Sequence, residues 1–320
     1  FSFSFLFFLT SCEEDFTPKA QFRQYYVLNC AIGVEDPANP YAPLHEIKAV
    51  VNKTYDQDGF IPTGSGFQLV RDVNLSIIKK SEQFYFTDTL KTKEGFSLLD
   101  YYTPVKSPKL FPLDKIRISA VMPDGVTVSA ESTVPLMLSL EFAYEFVHGI
   151  TPNVNQFLAG KGVTVTWENN YSDHLLFPEM SIPYRIISTG QTYSLSVPLK
   201  YIQKDGKRVP LYTSAVKNES VTFEFEAIDS ALAMIASLAP KNDIEIGNCE
   251  FKVMEFDNNL SNYYSSTNGY LDSYSVRLDD NIYTNIRGGF GVFGSYFVNR
   301  LKSYFDKSYI ESFGYKYRRF

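Results

Sequence analysis

The segment Arg117-Ile-Ser-Ala-Val-Met-Pro-Asp-Gly-Val-Thr-Val-Ser-Ala130 indicates the fold class of this chain. On each side of Met122-Pro-Asp-Gly125, apolar and polar side chains alternate with the two-residue period of a half-buried β-strand. The proline and glycine between these runs favour a tight connection. The segment therefore predicts a β-hairpin.

The same period recurs along the chain, and helix signals are few. Asp229-Ser230 predicts the cap of a short helix through Leu238, and residues 258–266 predict a second helix. We expect an all-β protein with minor helical insertions, built from β-sandwiches of the immunoglobulin-like or fibronectin-like kind. The other predicted strands lie at residues 25–32, 47–51, 73–78, 162–167, 193–197, 221–227 and 249–256.

The first residues have the layout of an export signal. Phe1 to Leu9 is an apolar run, much shorter than the about 20 residues that cross a bilayer. It ends in Leu9-Thr-Ser-Cys12, and the acidic residues Glu13, Glu14 and Asp15 follow directly. We therefore expect residues 1–11 to be the remnant of a signal peptide. An ordinary secretory signal with a chance cysteine is the alternative.

Leu9-Thr-Ser-Cys12 resembles the bacterial lipobox, in which the cysteine thiol receives a diacylglycerol and cleavage makes that cysteine the N-terminus. The resemblance implies an outer-membrane lipid anchor on Cys12, with acyl chains such as palmitate, and a lipidated tether at residues 12–18. Several chains on one residue make such an anchor stable. Glu13, Glu14 and Asp15 resemble the acidic export signal of Bacteroidota lipoproteins. We expect display at the cell exterior, with the periplasmic face as the alternative.

Length and net charge limit the number of domains and the kinds of partner that the rest of the chain can have. The 320 residues suggest two domains, with the boundary after Thr133-Val-Pro135. Residues 19–135 would form an N-terminal β-sandwich, and residues 136–320 a C-terminal β-sandwich with short helices. The net charge of −6 argues against a nucleic-acid partner, which clustered Lys and Arg would bind.

Residue types that carry chemistry are scarce. The three histidines, His45, His148 and His174, have no metal-ligand spacing, so no metal, cofactor or catalytic residue is expected. Asp56-Gln-Asp-Gly59 and Asp279-Asp280 are better explained as turns than as a calcium loop. Carboxylates that meet across a cleft are not visible in a sequence.

Two cysteines remain besides Cys12. Cys30 and Cys249 lie far apart in the sequence, each within a run that is predicted to be a strand. They form a disulfide, or each serves as a small buried hydrophobe, and the second interpretation is favoured.

Asn285-Ile-Arg-Gly-Gly-Phe-Gly-Val-Phe-Gly-Ser295 resembles the closing motif of a Bacteroidota lipoprotein family, domain of unknown function 4249. The lipobox, a first strand at residues 26–32, Thr133-Val-Pro135 and residues 249–254 follow that family's order. Within the motif, Gly288, Gly289, Gly291 and Gly294 predict a strand with bulges or close backbone approach. A phosphate loop is disfavoured because no helix with a Lys-Ser/Thr pair follows.

Surface features suggest interactions. Tyr263-Tyr264 is a candidate partner surface, because aromatic residues are enriched in interfaces. Asp88-Thr89-Leu90 and Asp229-Ser230-Ala231 are similar to the Bacteroidota O-glycosylation acceptor, which makes Thr89 and Ser230 candidate sites.

The family resemblance implies an outer-membrane lipoprotein, often encoded near TonB-dependent transporters. We expect a non-catalytic accessory module that binds such a β-barrel transporter and captures or hands over its nutrient, with the ligand unknown. A structural or adhesive surface lipoprotein is the alternative, and a hydrolase ranks below both. Fold alone does not separate them, because β-sandwiches carry all three functions.

Overall fold

The computed structural model describes residues 23–35, 47–54, 69–93, 96–143, 150–151, 162–168, 171–267 and 283–318. Over these ranges the chain is predominantly β, with three short α-helices, as the sequence predicts. None of the helices in these ranges has the length and apolar character needed to cross a bilayer.

The elements of the described ranges are numbered in chain order. The helices are α1 (Phe225–Ile235), α2 (Asn258–Thr267) and α3 (Lys307–Ser312), with a 3₁₀ turn at Lys241–Asp243. The strands are β1 (Tyr26–Glu35), β2 (Lys48–Lys53), β3 (Asn74–Lys79), β4 (Glu82–Lys93), β5 (Phe96–Pro104), β6 (Lys115–Val121), β7 (Thr127–Thr133), β8 (Leu140–Phe142), β9 (Ile150–Thr151), β10 (Gly162–Trp167), β11 (Leu176–Ile186), β12 (Thr192–Val197), β13 (Lys200–Lys204), β14 (Lys207–Leu211), β15 (Ser220–Glu224), β16 (Ile244–Ile246), β17 (Asn248–Phe256), β18 (Phe290–Phe305) and β19 (Lys316–Tyr317).

Most strands join one hydrogen-bonded path, in the order β19-β16-β11-β17-β18-β1-β2-β5-β4-β3-β6-β7. Strand β12 adds to β11 and β9 adds to β18, while β15-β10-β8 and β13-β14 form smaller sheets. The hairpin predicted around Met122–Gly125 is confirmed as β6–β7, and Gly125 supplies the positive φ of its turn.

Strand β18 connects the two parts of the sheet. Its 16 residues pair in parallel with β1 and antiparallel with β17. Although β18 lies in the predicted C-terminal domain, Phe293 and Phe297 belong to the core of the N-terminal part. The all-β class is shown, while two separate sandwiches divided after residue 135 remain a prediction.

Two hydrophobic cores lie on either side of this connection. The first is built from alternate side chains of strands, including Leu28, Val51, Ile77 and Ile118, and from the two phenylalanines of β18. The second also contains a helix, because α1 buries Ala227, Ile228, Ala231, Leu232 and Ile235 against β-strands. The three- and four-residue spacing of these side chains gives one apolar face of a helix.

Helix α1 corrects two details of the sequence prediction. The strand predicted through Ala227 ends at Glu224, and Asp229 and Ser230 lie inside the helix instead of capping it. The alternation of Val221, Phe223 and Phe225 continues one residue into the helix. The two-residue period of the strand therefore overlaps the start of the helical spacing, and the sequence pattern does not show where the strand ends.

The two buried cysteines are free thiols, so the disulfide alternative is wrong. Cys30 lies in the first core and Cys249 in the second, where the Cys249 thiol donates to the Ser303 carbonyl at 3.6 Å. Burial raises the pKa of each thiol to about 12, so both remain protonated at neutral pH.

Strand β7 ends the sheet path, and its outer edge is covered by chain from the C-terminal part. Ser129 exchanges two backbone hydrogen bonds with Arg287, at 3.1 and 2.8 Å. The side-chain amides of Asn259 and Asn285 donate to the Glu131 carbonyl. Covering an edge in this way blocks pairing with another chain, and it brings β7 close to β18 and α2.

Candidate functional site

A cavity of about 430 Å³ lies where the end of β7 meets the start of α2. Its volume is within the range of about 300–1,000 Å³ that is typical of small-molecule sites. We call it the junction cleft, because residues of both parts of the chain line it. The lining residues are Leu113, Glu131, Ser132, Thr133, Val134, Pro135, Tyr171, His174, Asp257, Asn258 and Asn259.

Asp257 is the residue on which the elements around the cleft converge. Its side chain is 3% exposed, and its Oδ1 accepts a hydrogen bond of 2.9 Å from the Leu260 amide, as an N-cap does. Its Oδ2 accepts hydrogen bonds from the Ser132 hydroxyl at 2.6 Å and the Ser295 amide at 3.0 Å. One carboxylate therefore joins β7, β18 and the N-terminus of α2.

The electrostatic state of Asp257 follows from these surroundings. Burial raises the pKa of its carboxyl, because the charged form loses its hydration. Hydrogen bonds from Leu260, Ser132 and Ser295, and the nearby His174, act in the opposite direction without cancelling the effect of burial. Asp257 thus takes up a proton at a higher pH than an exposed aspartate.

His174 forms a second buried polar group in the wall of the cleft. Its Nδ1 lies 2.8 Å from Oε1 of Glu255, a carboxylate that is fully buried. The Tyr171 ring packs against the imidazole with a centroid distance of 4.3 Å. A carboxylate that binds one ring nitrogen fixes the orientation of the imidazole, so His174 presents a defined face to the cleft.

These groups are arranged for hydrogen bonding more than for nucleophilic attack. In a serine–histidine–carboxylate triad, the serine donates to the histidine, which donates to the acid. Here the Ser132 hydroxyl donates to Asp257 and lies 2.8 Å from the Ser295 hydroxyl, while His174 is held by a different acid. Among the described residues, no group of three or more His, Cys, Asp or Glu side chains is placed to hold a metal ion.

The glycine motif lies directly behind this site. A Cβ atom on Gly291, which has a φ of +106°, would be 2.2 Å from the Leu28 carbonyl oxygen. One on Gly294 would lie 2.5 Å from the side chain of Leu260 and 2.8 Å from Oδ1 of Asp257. The motif thus lets β18 lie close to β1 and α2, and Gly288 and Gly289 make similarly close approaches to the backbone of Thr127 and Tyr26.

Tyr263 and Tyr264 lie on α2, outside the lining of the cleft. Tyr264 is 42% exposed and stacks on Phe256 at 5.0 Å, and Tyr263 packs partly buried against the small cluster around Leu175 and Leu260. The pair therefore offers Tyr264 at the surface, while Tyr263 mainly holds the helix in place. Its role as a partner surface stays a prediction.

The two glycosylation candidates differ in their surroundings. Thr89 is half-buried on β4, next to a register shift between Thr89 and Leu90. The Ser230 hydroxyl donates to the Glu226 carbonyl at 2.7 Å and lies 3.1 Å from a guanidinium nitrogen of Arg208. Glycosylation at either residue remains a prediction.

Other predicted features fall outside the described residues. These are the proposed anchor Cys12, the export signal Glu13, Glu14 and Asp15, the turns at residues 56–59 and 279–280, and the histidines His45 and His148.

Sequence reasoning missed the residues that form the cleft. Ser132, Asp257 and Ser295 are far apart in the chain, and no motif connects them. The one available signal was Asp257 directly before the predicted helix at residues 258–266, which is the position of a capping residue. His174 stands alone in the sequence, with no other histidine at metal-ligand spacing.

No protein-family model and no curated protein sequence matches this chain. The resemblance to domain of unknown function 4249 therefore rests on the motifs given above and stays a prediction.

Proposed function

We propose that this chain is a non-catalytic binding module, held at the outer membrane through Cys12 and displayed at the cell exterior, that serves a TonB-dependent transporter. The observation that carries the proposal is the junction cleft, a cavity of ligand size whose polar walls are fixed by hydrogen bonds. Preformed walls favour binding, because little order has to be imposed when a ligand enters.

The lining of the cleft favours a particular class of ligand. It contains the acids Glu131 and Asp257 but neither Lys nor Arg, so an anion would meet no opposite charge there. Asn258, His174 and the Tyr171 ring add hydrogen-bonding and stacking groups. A neutral or cationic ligand rich in hydrogen-bond donors fits this chemistry.

Confinement of the chain at the membrane supports the proposed partnership with a transporter. A module tethered to the membrane stays near its neighbours, so a modest interface is sufficient for association. Exposed Tyr264 on α2 is a suitable contact residue, because it lies on the helix whose N-terminus borders the cleft. A ligand held in the cleft would then be close to the partner that imports it.

One observation favours a second candidate function. The His174–Glu255 pair at the cleft has the form of an oriented general base, which suits a hydrolase. This candidate ranks lower because the Ser132 hydroxyl is committed to Asp257. Turnover of a cleft ligand that is lost in His174→Gln would reverse this ranking.

Affinity purification from detergent-solubilised native membranes tests the partnership. We expect a stoichiometric β-barrel partner, and uptake of its substrate should fall in a deletion strain. Recovery of the chain alone, with transporter-dependent uptake unchanged, would contradict the proposal.

A pair of matched substitutions tests the role of the cleft. Asn258→Arg places a long cationic side chain at the cleft, whereas Asn218→Arg makes the same change at an exposed position outside its lining and away from α2. We expect uptake to fall in the first variant only. Equal uptake in both variants would exclude the cleft as the binding site.

A further inference from the structure

An exposed basic and aromatic surface lies at the end of the N-terminal part where the β3–β4 turn meets the connection from β5 to β6. We call it the basic aromatic rim. Residues 79–86 and 105–115 together contain five lysines, one glutamate and one aspartate, in a chain whose net charge is −6. The exposed members of the rim are Lys80, Tyr85, Val105, Lys106, Lys109, Phe111, Leu113 and Lys115.

The connection is held so that Val105, Phe111 and Leu113 are exposed to solvent. Leu110 and Pro108 are buried, and they anchor the segment to the body of the protein. Val105 is 74% exposed, Phe111 is 41% exposed, and Leu113 is also exposed. Large exposed side chains that are grouped on one short segment are candidates for a contact surface, unlike apolar residues that are scattered singly.

Lysines surround the Phe111 ring. The ammonium groups of Lys79 and Lys109 lie 5.0 and 5.4 Å from the ring centroid, which are cation–π distances. Lys79 also forms a 2.6 Å ion pair with Asp114, so these two charges offset each other. The exposed lysines of the rim supply its positive charge. The backbone amide of Phe111 donates to the Asp114 carboxylate at 2.8 Å, which holds the backbone of the connection at this residue.

Exposed apolar side chains framed by lysines match the chemistry of a bilayer surface. Apolar groups enter the boundary between head groups and acyl chains, while lysines remain at the level of the anionic phosphates. We propose that the basic aromatic rim is a membrane-contact surface that binds anionic lipid head groups. The contact needs neither the lipid on Cys12 nor a transporter, so it goes beyond the function proposed above.

The position of the rim suggests what this contact does. Leu113 belongs to the rim and also lines the junction cleft. A bilayer bound to the rim would therefore hold the cleft beside the membrane surface, in a fixed orientation that an anchor at a single residue does not give.

Vesicle co-sedimentation tests the proposal with the full chain carrying Cys12→Ala, so that no acyl group contributes. We expect stronger binding to vesicles of phosphatidylcholine mixed with phosphatidylglycerol than to phosphatidylcholine alone, and weaker binding as salt screens the charges. In Lys106→Glu/Lys109→Glu, binding to the anionic vesicles should fall about 25-fold or more, at about fivefold for each lysine lost.

The matched control is Lys204→Glu/Lys207→Glu, which makes the same charge change at exposed positions of the β13–β14 hairpin. It should bind nearly as well as the parent. A second variant, Val105→Ser/Phe111→Ser, keeps the charge and should weaken binding through lost apolar contact.

Equal binding of the parent chain to both vesicle types would overturn the proposal, and so would equal losses in the rim and hairpin variants. Either result leaves the transporter partnership untouched, because the vesicle assay contains no transporter and none of the substituted residues lines the cleft.

Discussion

The two hydrophobic cores are built differently but share one strand. The first combines the faces of β-strands with residues of the adjoining connections, such as Leu110 and Val134, and the second packs helix α1 against strands. Strand β18 contributes Phe293 and Phe297 to the first core and Phe305 to the second. Because both cores depend on β18, the two parts of the chain are not energetically independent, although each has its own pattern of packing. Substitutions in this strand and in the contacts beside it therefore test how strongly the two cores are coupled.

The largest effect is expected from Phe297→Ala, which empties a fully buried site in the first core. We expect the free energy of unfolding to fall by about 3–5 kcal/mol. The single tryptophan, Trp167, lies in the second core and reports on that core by fluorescence. Because β18 serves both cores, the denaturant midpoint measured at Trp167 should shift as well.

An unchanged fluorescence midpoint, alongside a lower midpoint by far-ultraviolet circular dichroism, would show that the cores unfold separately. Tyr85→Ala is the control, since this side chain is exposed and its loss should change stability by less than about 0.5 kcal/mol.

Gly291→Ala is expected to be next in size, at about 2–4 kcal/mol. The added methyl group combines strain at a φ of +106° with a clash against the Leu28 carbonyl, where β18 pairs with β1. Gly125→Ala is the matched control, because Gly125 also has a positive φ but has open space around it. It should cost about 1 kcal/mol. Equal melting temperatures for the two variants would contradict the close approach of β18 and β1.

Asp257→Asn tests the carboxylate that joins β7, β18 and α2. We expect a loss of about 1–3 kcal/mol, because the amide does not reproduce all the hydrogen bonds from Ser132, Ser295 and Leu260. The folded-state pKa of Asp257 is raised above its ordinary value of 3.8. Its protonation therefore stabilises the fold most below that value, and this stability is lost as pH rises through the folded pKa.

The difference in stability between the parent and Asp257→Asn should accordingly be largest in acid and shrink as pH increases from about 4. Urea melts of both proteins across this range measure it. A difference that grows with pH would show that hydrogen bonding to the charged carboxylate outweighs its burial.

The smallest effect is expected for the reactivity of the two buried thiols in the folded protein. With a pKa of about 12, Cys30 and Cys249 should react with a disulfide reagent only after unfolding. The measurement uses Cys12→Ala, so that only these two thiols are counted. Rapid reaction of one thiol under native conditions would show that its core opens locally, and would tell which of the two cores is the looser one.

The local patterns of this chain could be predicted, but the cleft could not. The β6–β7 hairpin appears where alternation and turn residues predict it, and helix α2 lies at the residues where the second helix is predicted, because these signals act between near neighbours. The start of α1 was missed because alternation at Val221, Phe223 and Phe225 continues past the end of its strand. At such a junction the tertiary packing of Ala227 and Ile228 determines the structure.

Side-chain period and local backbone freedom are sufficient to predict the β-rich class, the hairpin over residues 117–130 and the need for glycine near residue 291. The pairing of β1 with β18, and the meeting of Ser132, Asp257 and Ser295 beside the cleft, are visible only in the folded chain. Strands β1 and β18 lie near opposite ends of the chain, and no local sequence pattern indicates that they pair. Their pairing is selected by the burial of whole strand faces and by the hydrogen bonds that a buried carboxylate requires.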